Sequence, residues 1–516
     1  MMTTKEQPIS SAILYHNKQD TIFLIDIPTS ISLAQELSPQ QPQQSPQPLN
    51  KQQPRKAILS TTPLQKPYTT PEPKTSAARN RVLQRIPPPE RIYHGEIIAP
   101  VVQLALRELA EGLREGGAAE WCLERRIPPV VSSGRADEYE QALGHPRKRR
   151  RAAAAAHDDC QWGSSVWGVE TGDKDPPLIL SPGVNTFVSG EDVSCALVKN
   201  TSAVEATVRV GCGDTAASPP SPPPPPPPPP TTTTTTTRSS TLGYGDDGNE
   251  KHNHTYTIPA LSTFILTHLP LSNPTTSHPN SPIPNLPRTH KFNLILLDPP
   301  WTNRSVHRSG HYHTQAHNDS NSLTRYIQFL LQSHLSHPSS SPKTDNYNSN
   351  KNKTQHPIPI APSIAAIWTT NSSKARTAAH SALAGAGLTV VEEWIWLKIT
   401  TEGEPVSPVD ALWRKPYEVL VIGRAVSRVG SRVSGDGCGS ALQDDDTAIK
   451  RRVIAAVPDV HSRKPNLREL FERVFFAGCE YVAMEVFARH LTAGWWACGD
   501  EVVRFNEDVW WCVDGD

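Results

Sequence analysis

The feature that most limits what this chain can fold into is residues 292–301, FNLILLDPPW, where an apolar run is cut off by a carboxylate and two prolines. Six apolar or near-apolar residues closed in this way read as a buried strand that stops at its carboxyl end. In open α/β sheets that edge is where ligands bind. Asp298 offers acceptor oxygens, and the prolines remove N–H groups, so main-chain carbonyls there can turn toward a ligand. Trp301 offers a flat surface. Acceptors beside an aromatic plane suit an exocyclic amine on a flat heterocycle, such as the N6 of adenine; the plainer reading is a strand ending in a rigid turn with a core tryptophan.

Downstream, the pattern alternates. IAAIWTT (364–370) reads as a strand, 373–386 as a helix, and VVEEWIWLKIT (390–400) and YEVLVIGR (417–424) as strands. A last unit runs from a helix at 467–476 through YVAMEVFARHL to the terminal VVRFNEDVWWCV. This is an α/β, Rossmann-like order.

Composition sets the boundaries. Proline is as numerous as lysine plus arginine together, 51 of each in 516 residues, so the globular part is well short of the whole length. Residues 1–36 contain two β-like runs, AILYHN and TIFLIDI, around a Lys18-Gln19-Asp20 turn, and read as a hairpin region. Residues 37–79 are Gln/Pro/Ser/Thr-rich and read as a disordered linker. Residues 80–215 form an accessory segment, with an amphipathic helix over 97–114 and short β-type runs after 162. Residues 216–250 hold a Pro/Thr low-complexity insert, and residues 255–516 form the main domain, with loop inserts at 337–354 and 426–446.

The formal net charge is zero, so bulk electrostatics do not point to a polyanionic partner, although local patches decide such binding. The eight cysteines form no C-x-x-C pair and no zinc-like spacing, which argues against a structural metal and fits a reducing compartment. Neither a signal-peptide pattern nor an apolar run long enough to span a bilayer is present, so the chain is expected to have no membrane association. The basic block Arg147, Lys148, Arg149, Arg150 and Arg151 reads as a nuclear import signal or a phosphate contact, with a solvated loop as the plain reading and a cytoplasmic location as the alternative.

D-P-P-W after a hydrophobic strand resembles the signature of S-adenosylmethionine-dependent adenine-N6 methyltransferases, in particular the eukaryotic family named for the seventy-kilodalton subunit of the messenger-RNA methyltransferase. The continuation through Asn303, Arg304, Ser305, Val306 and Tyr312, with the hairpin-like opening, is similar to its methyltransferase-like protein 4 branch. Phe487-Ala488-Arg489 resembles the family's F-x-R, with Ala488 where some members have glycine. Gly494-Trp495 and Gly499-Asp500-Glu501 resemble its G-W and G-N-[QE] elements, with Asp500 in place of asparagine. His461 to Pro465 resembles its S-x-K-P turn, and Arg414 to Glu418 its K-P-x-E segment.

The resemblance implies a Rossmann-like methyltransferase domain of permuted motif order, in which the D-P-P-W strand precedes the strand bearing the second cofactor contact. It implies catalysis by Asp298, Pro299, Pro300 and Trp301, and S-adenosylmethionine held by Asp298, Phe487, Arg489, His490, Asp500 and Glu501. It implies a substrate-facing rim of Trp301, Arg304, Arg308, Tyr312, Lys398, Lys415, Arg463 and Lys464, joined by His307. The implied substrate is adenosine or 2′-O-methyladenosine in RNA, with small nuclear RNA leading and DNA adenine the alternative. No metal is implied, and the branch suggests action as a monomer, with a partner subunit left open. A competing reading of another class is a catalytically silent RNA-binding scaffold; the intact Asp298–Trp301 motif favours activity.

Overall fold

The computed structural model describes residues 10–38, 56–116, 120–128, 176–211, 253–271, 281–301, 320–336, 361–425 and 448–513. The basic block at 147–151, the Pro/Thr insert and the inserts at 337–354 and 426–446 lie outside the described residues, as do Arg304, His307, Arg308 and Tyr312.

The chain opens with the expected hairpin, β1 (Ile13–His16) and β2 (Ile22–Ile25), but the second run then changes to a helix, α1 (Ile27–Ala34). Asp26 causes the switch: its carboxylate accepts from the Thr29 N–H at 3.1 Å, and Pro28 suits a first helical turn. Residues 56–79, expected to be disordered, are instead laid on the main domain. β3 (Lys56–Ile58) pairs with a C-terminal strand, and the segment after it is bonded to a loop described below. Their composition gave no apolar pattern because they are held by main-chain hydrogen bonds and polar side chains, to which apolar periodicity is blind.

Next come α2 (Ser76–Arg85), α3 (Pro88–Arg91), a π-helical turn over Ile92–Ile98 and α4 (Ala99–Glu115). α4 buries Val102, Ala105, Leu109 and Leu113, the spacing that made it legible as amphipathic. The accessory segment supplies β4 (Leu178–Ile179), β5 (Gly183–Phe187), β6 (Leu197–Lys199) and β7 (Ala206–Gly211), followed by β8 (Asn253–Ile258) and β9 (Thr263–Leu266). The C-terminal part holds β10 (Leu294–Leu297), α5 (Ser320–His334), β11 (Ile364–Thr369), α6 (Ser373–Gly385), β12 (Leu388–Lys398), β13 (Tyr417–Ala425) and β14 (Lys450–Ala456). It ends with α7 (Arg468–Val474), β15 (Ala483–Val486), β16 (Trp496–Gly499) and β17 (Trp511–Val513), the partner of β3.

Among the described residues twelve strands join one sheet in the order β1-β2-β14-β12-β13-β11-β10-β15-β16-β9-β6-β4. From β2 to β9 all neighbours are parallel except β13, which runs antiparallel to β11 and β12. The accessory strand β6 pairs with β9, and β7 pairs with β8 in a separate sheet, so residues 178–211 are hydrogen-bonded to the main domain on two fronts.

All four residues of β10 are buried, as a strand covered on both faces requires. Ile295 and Leu297 pack into a core shared with α4, α5 and α6, whereas Leu294 and Leu296 pack on the other side with α1 and α7. The result is an α/β/α Rossmann-like sandwich. Strand pairing puts the ends of β10, β11, β12, β14, β15 and β16 on one edge, together with the start of the reversed β13. The crevice lies where the order changes direction: β10 continues through α5 to β11 on one side, while β15 leads to β16 on the other. No helix of the described residues is long and apolar enough to cross a membrane.

Candidate active site at the carboxyl edge of the sheet

Asp298 follows directly on β10, and its N–H donates to the Val486 carbonyl at 3.2 Å, tying it to the end of β15. The permuted motif order thus ends in adjacency: Leu297 is in register with Val486, so Asp298 faces the Phe487 turn. The Trp301 N–H donates to the Pro299 carbonyl at 2.8 Å, closing a tight turn. That carbonyl keeps a second lone pair for another donor. The Trp301 indole N–H donates to the Trp368 carbonyl at 2.7 Å, which fixes the ring plane against the end of β11.

The Asp298 carboxylate is paired. Lys464 Nζ lies 3.0 Å from each of its oxygens and 3.4 Å from Glu418 Oε2, while Lys398 Nζ is 2.6 Å from Glu418 Oε1. Four charges therefore alternate in sign along the crevice, contributed by β10, the loop after β14, β13 and β12. Burial disfavours the Lys464 ammonium, yet Asp298 and Glu418 outweigh it and hold its pKa above the ordinary lysine range. Burial likewise opposes the Glu418 carboxylate, but Lys398 and Lys464 hold it down at about 2. Lys464 Nζ stands 5.4 Å from the Trp368 ring centre and Lys398 Nζ 4.5 Å from that of Trp396, so the charges rest on an aromatic wall.

A further acid stands in this neighbourhood. Glu485, on β15, has its carboxyl pushed up to about 8, first by burial and then by the Asp298 charge, against the pull of Lys464 and Arg489. It is protonated at neutral pH.

The turns after β15 and β16 fit together through backbone form. Phe487 adopts φ 61°, a left-handed conformation rare for a bulky residue and often found at functional sites. A Cβ at Gly499 would stand 3.2 Å from Phe487 Cα, so only glycine lets the end of β16 close on that turn. Ala488 is buried, and its N–H donates to the Cys498 carbonyl at 3.1 Å. Arg489 Nε lies 3.0 Å from Glu501 Oε2, and its Nη1 donates to the Ser462 carbonyl at 3.3 Å. It thereby links the turns after β15 and β16 to the loop bearing Lys464. The Asp500 side chain is half-exposed, 3.8 Å from His268 Nδ1; its partial burial raises the carboxyl pKa, but the neighbouring His268 prevails and keeps it below the ordinary range.

The structure thus gathers Asp298, Pro299, Pro300, Trp301, Lys398, Lys464, Phe487, Arg489, Asp500 and Glu501 along one edge. Two residues lie elsewhere. Arg463, expected on the cationic rim, is buried: it pairs with Asp459 at 2.7 Å and stacks on Phe505 and Trp510. Adjacent to Lys464 in sequence, it cannot share its environment, because the turn directs the two side chains to opposite sides. His490 is buried against Asn466, Nδ2 to Nε2 3.0 Å, with its pKa lowered to about 4 by burial and the charge of Arg463. It buttresses the turn from beneath. Lys415 is partly buried, near the Val409 carbonyl at 3.5 Å.

The sequence marked Glu418 only as the end of the K-P-x-E segment, and Glu485, Trp368 and Trp396 were passed over. The signals were present: Glu485 is a lone acid in an apolar strand, and Trp394, Trp396 and Lys398 alternate with period two, so Lys398 ends a tryptophan face.

Fold and site define a Rossmann-like α/β domain with an acid–proline–proline–tryptophan motif at its ligand crevice. Residues 353–501, from just before β11 to just after β16, match the MT-A70 family model. Over 228 residues it is 38% identical to the N6-methyladenosine RNA methyltransferase MTA1 of Cryphonectria parasitica, covering 43% of this chain and 54% of the relative. Over 260 residues it is 30% identical to the N(6)-adenine-specific methyltransferase METTL4 of Homo sapiens, covering 49% of this chain and 44% of the relative. An uncharacterized protein of Schizosaccharomyces pombe is 32% identical over 228 residues, 43% of this chain and 44% of the relative. The chain spans about half the length of the relatives it matches.

Proposed function

We propose that this chain is a methyltransferase that places a methyl group from S-adenosylmethionine on the N6 amine of adenine in RNA. The observation that carries the reading is the intact Asp298–Trp301 turn at the carboxyl end of β10, set against the Phe487 turn of β15. The fungal relatives named as RNA methyltransferases favour RNA; small nuclear RNA is the finer proposal, on the likeness to the METTL4 branch.

The residues present fit the cofactor. Gly499 lets the ends of β15 and β16 close on each other at the sheet edge, and Asp500 and Glu501 next to it offer carboxylate acceptors for the ribose hydroxyls of the cofactor. Lys464 offers a cation for its carboxylate end. When bound, S-adenosylmethionine supplies an electrophilic methyl group on a sulfonium.

The protein's part is to prepare the nitrogen. The N6 lone pair is delocalised into the purine ring. Hydrogen bonds from its two N–H groups to Asp298 and to the free lone pair of the Pro299 carbonyl raise electron density on nitrogen and fix its direction. Lys464, bonded to both Asp298 oxygens, keeps that carboxylate in place. Trp301, its plane locked by Trp368, holds the base by stacking, worth roughly 1–3 kcal/mol. Positioning of this kind supplies a large share of the rate. A base in a duplex must first be flipped out, so an unpaired adenosine is the favoured target.

The reading takes the enzyme to act as a monomer and without a metal. Among the described residues no group of three or more His, Cys, Asp or Glu side chains is arranged to hold one. We propose a nuclear location, on the basic cluster at 147–151. The test is methyl transfer from labelled S-adenosylmethionine to matched single-stranded RNA and DNA, wild type beside Asp298→Ala. Transfer to RNA that vanishes in the variant is expected. Preference for DNA would replace the substrate, and absence of both transfer and S-adenosylmethionine binding would favour a scaffold.

A further inference from the structure

We propose that residues 64–85, together with the β12–β13 loop they clasp, form a docking surface for the single-stranded polynucleotide that flanks the target base. The inference rests on the adenine-site reading of the Asp298 edge and extends it outward.

The segment contributes little to the core: α2 has no buried residue. It is nonetheless held by specific bonds to the loop between Lys398 and Tyr417. The Thr401 N–H donates to the Leu64 carbonyl and the Tyr68 N–H to the Val406 carbonyl, both at 2.9 Å. The Leu412 N–H donates to Glu72 at 2.8 Å. Arg79 reaches the Asp410 carbonyl at 2.7 Å, the Asp410 carboxylate at 2.8 Å and Glu72 at 3.0 Å. Both acids of this joint, Glu72 and Asp410, are therefore paired with Arg79.

The outward side is left cationic. Lys66, Lys74, Arg81 and Arg85 are exposed, with no side-chain ion pair among the described residues. Two large rings stand out with them, Tyr68 at 53% and Trp413 at 59% exposure. A helix with no apolar stripe gains little from packing, so its attachment calls for another reason. Cations for phosphates and exposed rings for base faces are the two parts of a sequence-tolerant single-strand track. The loop's other acids, Glu402 and Glu404, flank Gly403, which packs on the Trp121 ring at the start of the loop. The loop leads toward the crevice: Trp413 and Arg414 lie a few residues before Glu418, which stands at the start of β13 and pairs with Lys464.

The test is fluorescence anisotropy of the full chain with a labelled single-stranded RNA of about 20 nucleotides at low salt. The paired reversals Arg81→Glu with Arg85→Glu, and Lys66→Glu with Lys74→Glu, are compared with wild type and with Arg81→Lys plus Arg85→Lys. Each reversal is expected to weaken binding about 10–100-fold and to flatten the salt dependence by about one to two in log–log slope, at unchanged Tm. The lysine pair should bind as wild type does, and Trp413→Ala should weaken binding about 5–100-fold. Reversals that bind like wild type, or a wild type that does not bind the strand, would overturn the surface. Reversal-sensitive binding without methyl transfer would overturn the adenine-methylation reading and leave the surface standing. Normal transfer with reversal-insensitive binding would do the opposite.

Discussion

Asp298 is oriented by its own protein before any base arrives. Lys464 donates one bond to each carboxylate oxygen and leaves further lone pairs on both. Asp298→Ala removes the acceptor and leaves Lys464 paired with Glu418 alone, so transfer should fall at least ~100-fold. The Tm should change little, because the residue sits at a strand end; a variant that keeps turnover would sink the proposed role. Trp301→Phe keeps a ring but loses the bond to Trp368, and should raise KM for the nucleic acid more than it changes S-adenosylmethionine binding. Equal losses, measured by calorimetry with each ligand, would make Trp301 structural. Glu485 carries a pH signature. Its pKa is raised in the folded protein, so stability falls as pH climbs from the ordinary carboxyl range to about 8, while only the unfolded chain sheds the proton. Glu485→Gln should therefore match wild type near pH 4 and exceed it by about 1–3 kcal/mol at pH 8, as read from denaturant melts at both pH values.

At the scale of elements, β10, β11, β12 and β13 were legible because each is an apolar run at a length suited to a strand, and Asp298-Pro299-Pro300 marked where β10 stops. The start of α1 was not, since TIFLIDI reads as continuous strand unless Asp26 is recognised as a cap. β6 was legible as β-type, but its place on the edge of the main sheet depends on β9, a partner remote in sequence. The fate of Arg463 and Lys464 was equally hidden: adjacent cations look alike until one meets Asp459 and the other Asp298. α1 also supports the site. The Ser30 hydroxyl accepts from the Asn466 N–H at 3.0 Å, two residues past Lys464. Removing the cap with Asp26→Ala should cost about 1–2 kcal/mol, more if Arg125 loses its 3.8 Å neighbour, and should loosen the Lys464 loop with it. Denaturant melts check the first effect. Faster hydrogen exchange at 460–467 checks the second, and unchanged exchange there would separate α1 from the site.

At the scale of the molecule, the sheet disregards the linear division of the chain. β2 pairs with β14, β3 with β17, and β6 and β7 with β9 and β8. A fragment of residues 255–516 would bare the β14 edge and strip α1 and α4 from the two faces, so it should be aggregation-prone and lack a cooperative melt. A monomeric fragment with a sharp transition would show that the N-terminal elements are attachments. The same pairing bears on how the protein is made. Ile22 is synthesised well before its strand partner Val453, so the open edge of the hairpin must wait unpaired until β14 emerges. Closing the sheet is a late, long-range step of the kind that slows folding and invites chaperones. Synonymous changes that alter elongation speed between β2 and β14 should therefore matter less to yield than the fate of the nascent chain once β14 has emerged.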